Sequence, residues 1–386
     1  MVNMMGTQNR TFTKNDTLLA KGIAMILMVV HHMMGSSSPN MDPLASVTLF
    51  GEVNALGVFI ARFGKICVAM FTLLSGYGLC HSITKMNHSM ENGGVLLRRI
   101  GKLYLSYWKA FLMFLVIKWL ATGRLEVDAY ALLTDSLGLT YNLCGAWWFF
   151  MPYVLLVAMY PVFDRFLRRV KGNLTIDCFW VFVFWTFACY CYPEVMNLRF
   201  ICNFSASNPI WWQFYWVINL APAFLLGGIL AKYDVLSRIY TLLEGKWIAL
   251  PVYASMWVLA FVFRSSYGNE PETKMPEFLF AALLICGGVG IVRRITGVRS
   301  ICKAIGREST NMWLLHAVLV FFFIQNPAIS FVGVFRNPLV QLVMVLAGSY
   351  FLSKLTDALF HQLHKAVMNV KEILAKRRGG KPGAAI

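Results

Sequence analysis

The chain has 386 residues, 58% of them hydrophobic and only 14% charged, with a mean hydropathy of +0.60. A soluble domain carries about a quarter charged residues, so a soluble enzyme is excluded and an all-α polytopic membrane protein is expected. The net charge of +17 falls in short loops between apolar stretches, which points to membrane topology and away from nucleic acid.

The first span is expected over about 16–35. It holds Lys21-Gly-Ile-Ala-Met-Ile-Leu-Met-Val-Val-His31-His32. At 100° per residue, the eleven steps from Lys21 to His32 return to nearly the same face, ~16 Å along the axis. An ionisable group inside a bilayer is costly and marks a functional site by default. A histidine kept neutral there is available as a base. The rival reading places both rings at the outer interface. No small-residue cleavage site follows this run, so it reads as a retained span.

The second span, about 56–81, carries Arg62 and Lys65 three residues apart, on one helical face. They either line a polar cavity or snorkel to the interface. Further on, Phe71-Thr-Leu-Leu-Ser75-Gly76-Tyr77-Gly78 supplies small residues for close helix contact and two hydroxyls that can bond across helices. The third span, about 101–121, opens on Arg98-Arg99-Ile-Gly-Lys102-Leu-Tyr104. These cations can bind phosphates or simply mark the cytoplasmic side.

The fourth span, about 146–163, begins with Gly145-Ala-Trp147-Trp148-Phe149-Phe150. Together with Trp211, Trp212 and Trp216, these rings suit an interfacial belt; the other reading is a sugar- or acyl-contacting platform. Further spans are expected over about 175–195, 210–231, 246–264, 277–294, 310–327 and 338–361, with Pro152 and Pro222 as candidate kink positions. At the start of the ninth, Gly306-Arg-Glu-Ser309-Thr-Asn311-Met-Trp313-Leu-Leu-His316 brings a further histidine into the membrane. Ser309 or Thr310 reads in part as a helix cap.

With both ends cytoplasmic, 26 of the 35 Lys and Arg fall on the inner side and six on the outer. That split supports about ten transmembrane helices with the N- and C-termini inside. Residues 1–375 read as one membrane domain, and 376–386 as a basic, disordered tail. The nine cysteines lie in or beside apolar spans, lack metal-ligand spacing and read as small packing residues. No metal site and no nucleotide or hydrolase motif is expected.

These five constellations, in this order, resemble the integral-membrane acyltransferase-3 family, which includes bacterial polysaccharide O-acetyltransferases. The resemblance covers about 15 to 360. The family's opening Arg/Lys-Gly-Ile-Ala run, followed by a histidine eleven residues on, corresponds to Lys21 and His32, with Lys in place of the more usual Arg. Its Phe-Phe-x-x-Ser-Gly-Tyr/Phe motif resembles Phe71 to Tyr77, with Thr72 replacing the second Phe. Its Arg-x-x-Arg entry to the third helix resembles Arg99 and Lys102, without the usual following Pro. Its Trp-Phe segment resembles Trp148-Phe149-Phe150 through Pro161, and its Gly-x-x-Ser…Leu-x-His segment resembles Gly306, Ser309 and His316.

The resemblance implies acyl transfer from a cytoplasmic donor, acetyl-CoA or another acyl-CoA, to a hydroxyl of a glycan or lipid-linked saccharide at the cell membrane. No permanently bound cofactor is implied. On this reading His32 is the general base, and Lys21, Arg98, Arg99 and Lys102 hold the CoA phosphates. Ser75 and Tyr77 are candidate oxyanion donors, and His31, Arg62, Lys65, Trp148, Ser309 and His316 complete a polar cavity. The alternative is a transporter or flippase for a glycolipid or exopolysaccharide, which would also place polar groups in a bundle core. A non-catalytic scaffold would leave these ionisable groups unexplained.

Overall fold

The computed structural model describes residues 12–34, 55–84, 92–125, 127–169, 173–198, 209–266, 275–320 and 338–379. Those residues form helices and connecting turns, with no strand among them. In chain order the helices are α1 (Lys14–Met34), α2 (Ala55–Gly64), α3 (Cys67–Thr84), α4 (Asn92–Thr122) and α5 (Ala129–Ser136). After a 3-10 turn over Gly145–Phe149 come α6 (Phe150–Ala158), α7 (Tyr160–Arg169) and α8 (Leu174–Thr186), the last running through a π turn into α9 (Tyr192–Asn197). The chain continues with α10 (Pro209–Lys232), α11 (Val235–Leu243), α12 (Ala249–Ser266), α13 (Glu277–Val292), α14 (Thr296–Ala317) and α15 (Pro338–Gly379).

Seven helices among the described residues are long and apolar enough to cross a membrane, or eight if the bent pair from Gly145 to Phe166 counts as one span. The protein is therefore a multi-pass membrane protein. Of the ten expected spans, the one at Glu277–Val292 is a shorter apolar helix, and the one at 310–327 extends past the described residues.

α1 starts at a capping box. The Thr13 hydroxyl and backbone N–H donate to Asp16 Oδ2 at 2.5 and 2.7 Å, and Asp16 N–H donates back to Thr13 Oγ1 at 3.4 Å. The same carboxylate accepts both arms of Arg293, Nε to Oδ1 at 2.6 Å and Nη2 to Oδ2 at 2.5 Å. This fork–fork pair ties the start of α1 to the end of α13. The Arg293 guanidinium in turn sits 4.1 Å from the centre of the Tyr240 ring.

α1 packs most closely on α14. A Cβ at Gly22 would strike the carbonyl of Cys302, and a Cβ at Gly306 would strike the carbonyl of Leu18. Each glycine faces the carbonyl four residues before its counterpart, so the two backbones touch and run parallel. Small residues permit such an approach within lipid. α3 and α10 repeat the device, with Gly76 against the Phe224 carbonyl and Gly227 against that of Leu73.

Several local expectations are corrected. The second span breaks into α2 and α3 at a turn over Lys65–Ile66, so Arg62 and Lys65 do not share one continuous helical face. The bend in the fourth span is 50° and falls between Ala158 and Tyr160, not at Pro152. Pro161, the second residue of α7, has no N–H to continue the hydrogen-bond ladder. Pro222 sits inside α10 without a break. Trp147 is not part of an interfacial belt: it is buried, and its indole N–H donates to the Leu314 carbonyl at 2.9 Å. α15 continues to Gly379, so the first residues of the expected disordered tail are helical; Lys376, Arg377 and Arg378 are good helix formers, and the remainder lies outside the described residues.

Candidate functional site

Five helices and the 3-10 turn converge on one cleft. Lys21 comes from α1, Phe71 and Ser75 from α3, and Arg99 and Leu103 from α4. Phe149 and Tyr153 come from the turn and α6, and Ser309, Thr310 and Trp313 from α14. The cleft holds about 440 Å³ of atom-free space and is partly open to solvent. Two cations and four hydroxyls line it, with no carboxylate among the lining residues. Such a lining is chemically suited to an anion: the cations supply charge, and the hydroxyls supply directed donors.

Arg99 and Tyr153 are held in place by each other. Arg99 Nη2 donates to Ser75 Oγ at 3.5 Å. The Tyr153 side chain is hydrogen-bonded to both Ser75 and Arg99. Arg99 also passes Gly78, where a Cβ would stand 3.8 Å from its Nη2. An added methyl group there would only touch the guanidinium at ordinary van der Waals distance.

Farther along the same two helices lies a histidine cluster. The His32 and His316 rings are 5.0 Å apart, inclined at 47°, and the His31 and His32 rings are 5.1 Å apart. The seven residues from Ser309 to His316 advance ~10 Å along α14, and the eleven from Lys21 to His32 advance ~16 Å along α1. Because the two helices run parallel, both lead in the same direction from the cleft to the histidines. Lys21 and His32 both face α14, as their spacing requires. His31 faces elsewhere: its Nδ1 donates to the Ala61 carbonyl of α2 at 2.9 Å.

His316 is fully buried. Its Nδ1 donates to the Trp313 carbonyl at 2.6 Å. A carbonyl can only accept, so Nδ1 carries the proton and neutral His316 presents a bare Nε2. That Nε2 has no hydrogen-bond partner among the described residues.

The remaining candidates are dispersed. Arg98 and Lys102 are exposed on α4 and do not line the cleft. Tyr77 is buried away from Ser75, edge-on to Phe12 and His81 with ring centres at 5.2 and 4.7 Å. Two residues on a helix are ~200° apart, so Ser75 and Tyr77 cannot serve one oxyanion. Neither Arg62 nor Lys65 lines the cleft. Lys65 lies near Cys67, close to the ion pair between Arg264 and Glu277 at 2.9 Å. Trp148 packs on Trp216 with ring centres 4.5 Å apart, next to Phe149 but outside the cleft.

The sequence reading missed Tyr153, Thr310 and Trp313. Tyr153 follows Phe149 by four residues and so falls on the same face. Thr310 adjoins Ser309, and Trp313 lies three residues before His316. Helical periodicity would have nominated Tyr153 and Trp313. Lys109, on α4, pairs with Asp357 at 2.8 Å. Asn311 donates to the other oxygen of that carboxylate at 3.1 Å.

A protein-family model described as an acyltransferase domain matches residues 19–356. No curated protein and no solved structure matches the chain.

Proposed function

Because the chain belongs to the acyltransferase-3 family, we propose that it is a membrane-embedded O-acyltransferase. It moves an acyl group, in the first instance acetyl, from cytoplasmic acyl-CoA to a hydroxyl of a cell-surface or exported glycan. The supporting observation is that Lys21 and His32 face one neighbouring helix, with an anion-binding cleft at the first and a histidine cluster at the second.

The donor's phosphates rest against Lys21 and Arg99, with Ser75, Tyr153, Ser309 and Thr310 donating to their oxygens. Arg98 and Lys102, exposed on the same turn of α4, raise the local concentration of an anion approaching the mouth. The pantetheine arm runs along the α1–α14 seam and brings the thioester to His32. His32 takes the proton of the acceptor hydroxyl as that oxygen bonds to the carbonyl carbon. The C–S bond then breaks, and the proton passes from His32 to the departing thiolate. Ser75, held within the cleft, is assigned to donor binding. The acyl-CoA is a substrate, not a resident cofactor.

The 26-to-six charge split supports cytoplasmic termini, an orientation in which the cleft faces the donor and the histidines the exported acceptor. Purified protein supplied with acetyl-CoA and glycan extracted from the source cells tests the reading. Free thiol and acetylated glycan are expected in equal amounts. Movement of a glycolipid across vesicles without thiol release would establish a transporter instead.

A further inference from the structure

We infer that His316 is a positioning residue for His32: its bare Nε2 accepts the N–H of one His32 ring nitrogen and leaves the other nitrogen as the base. The inference rests on the acyl-transfer reading above and extends it to a residue that does not itself touch the reacting atoms.

Three observations carry it. First, the Trp313 carbonyl takes the Nδ1 proton of His316 at 2.6 Å, which leaves Nε2 as an acceptor. Second, that Nε2 is buried and unpartnered among the described residues. A buried acceptor left unsatisfied is costly, and such an orphan calls for a functional explanation. Third, the His32 ring stands 5.0 Å away, centre to centre. From that separation a small rotation of His32 brings one of its nitrogens into hydrogen-bonding range, and catalytic hydrogen bonds often tighten only in the reacting complex. His32 is half-buried while His316 is fully buried. The arrangement therefore has a base in front and an orienting group behind it, the geometry by which a third group fixes a general base.

The chain of bonds runs from the Trp313 carbonyl to His316 Nδ1–H, from His316 Nε2 to a His32 N–H, and ends on the second His32 nitrogen. When that nitrogen takes the acceptor's proton, His32 becomes an imidazolium, and its N–H to His316 becomes a charge-assisted, stronger bond. No proton moves to His316 and none is lost from the pair. The base is thus fixed in one tautomer before the substrate arrives, and its charged form is stabilised afterwards.

Two variants separate this role from a packing role. His316→Gln keeps a side-chain oxygen that can accept, and His316→Leu fills similar volume without one. Full-length protein labelled with ¹⁵N-histidine and held in lipid nanodiscs reports the His32 tautomer without any turnover; His32→Ala assigns the signals. A single His32 tautomer is expected in the parent protein and in His316→Gln, and a mixture in His316→Leu. With acetyl-CoA and source glycan, His316→Leu should lose roughly 100-fold in kcat at unchanged KM for acetyl-CoA, with His316→Gln recovering most of the loss. A folded His316→Leu protein with the parent's His32 tautomer and kcat would overturn the inference, as would equal loss in both variants. If the parent protein releases no thiol at all, the acyl-transfer reading falls, while the tautomer measurement still decides whether His316 orients His32.

Discussion

Gly22 and Gly306 lie opposite each other where α1 meets α14, each directly against the other helix's backbone. The contact sets the register that puts Lys21 over the cleft and His32 beside His316. A methyl group at either position has nowhere to go, because its neighbour is a carbonyl and not a flexible side chain. Gly306→Ala should destabilise the protein by at least the ~1–3 kcal/mol typical of overpacking. Thermal unfolding in detergent would show it, whereas Gly297→Ala, where nothing lies within 4 Å, should leave the midpoint unchanged.

Tyr153 bridges Ser75 and Arg99 inside the cleft. Tyr153→Phe removes that hydroxyl and keeps the ring. A hydrogen bond to a charged group contributes ~1.5–3 kcal/mol, so the KM for acetyl-CoA should rise about 10-fold or more. Lys21→Glu, which reverses a charge facing the same anion, should raise it further. The kcat at saturating donor should change much less in Tyr153→Phe, since the residue acts on the donor's binding. A fall in kcat with KM unchanged would remove Tyr153 from the donor site.

Tyr77 supplies the contrasting case. Its hydroxyl has no partner among the described residues, and its ring packs on Phe12. Tyr77→Phe should leave turnover within about twofold and stability within ~0.5 kcal/mol, as for substitutions that remove no named interaction. Ser75→Ala should instead raise KM alongside Tyr153→Phe. Loss of kcat in Tyr77→Phe would return that residue to the reacting centre.

How much of this was legible in sequence can be judged residue by residue. The step from Lys21 to His32 was readable because a helix obliges residues eleven apart to share a face, and α1 is unbroken. The step from Arg62 to Lys65 misled because a turn at Lys65–Ile66 interrupts the helix, and neither residue announces a break. Ser75 and Tyr77 looked paired only while the helix was read as a string; its rotation sends them to opposite sides. His316 was visible as an intramembrane histidine, but its partner His32 is far away in sequence and is brought near only by the backbone contact of two glycines. Fold class came from hydropathy, which is summed over many residues. The bend near Met159 came from one proline at the second position of a helix, a signal that the more central Pro152 outweighed.

The pair between Asp16 and Arg293 holds the start of α1. The two side chains are 7% and 21% exposed, so removing one partner strands a mostly buried charge and the usual surface discount does not apply. Arg293→Met should cost about 3 kcal/mol. Arg293→Met combined with Asp16→Leu should cost less than Arg293→Met alone, because the stranded carboxylate is then gone. Chemical unfolding of the two variants in one detergent measures the difference. Equal or greater loss in the double variant would show that the pair is worth more than its desolvation.

The role of His32 as base is tested most directly in cells that carry the chain as their sole source of this activity. His32→Ala and His31→Ala are expressed in turn at matched protein levels, and acetylation of the surface glycan is read by mass spectrometry. The account predicts that His32→Ala abolishes the acetyl groups. His31→Ala, whose ring is turned to the Ala61 carbonyl, should retain most of them. Full acetylation by stable His32→Ala protein would contradict the account.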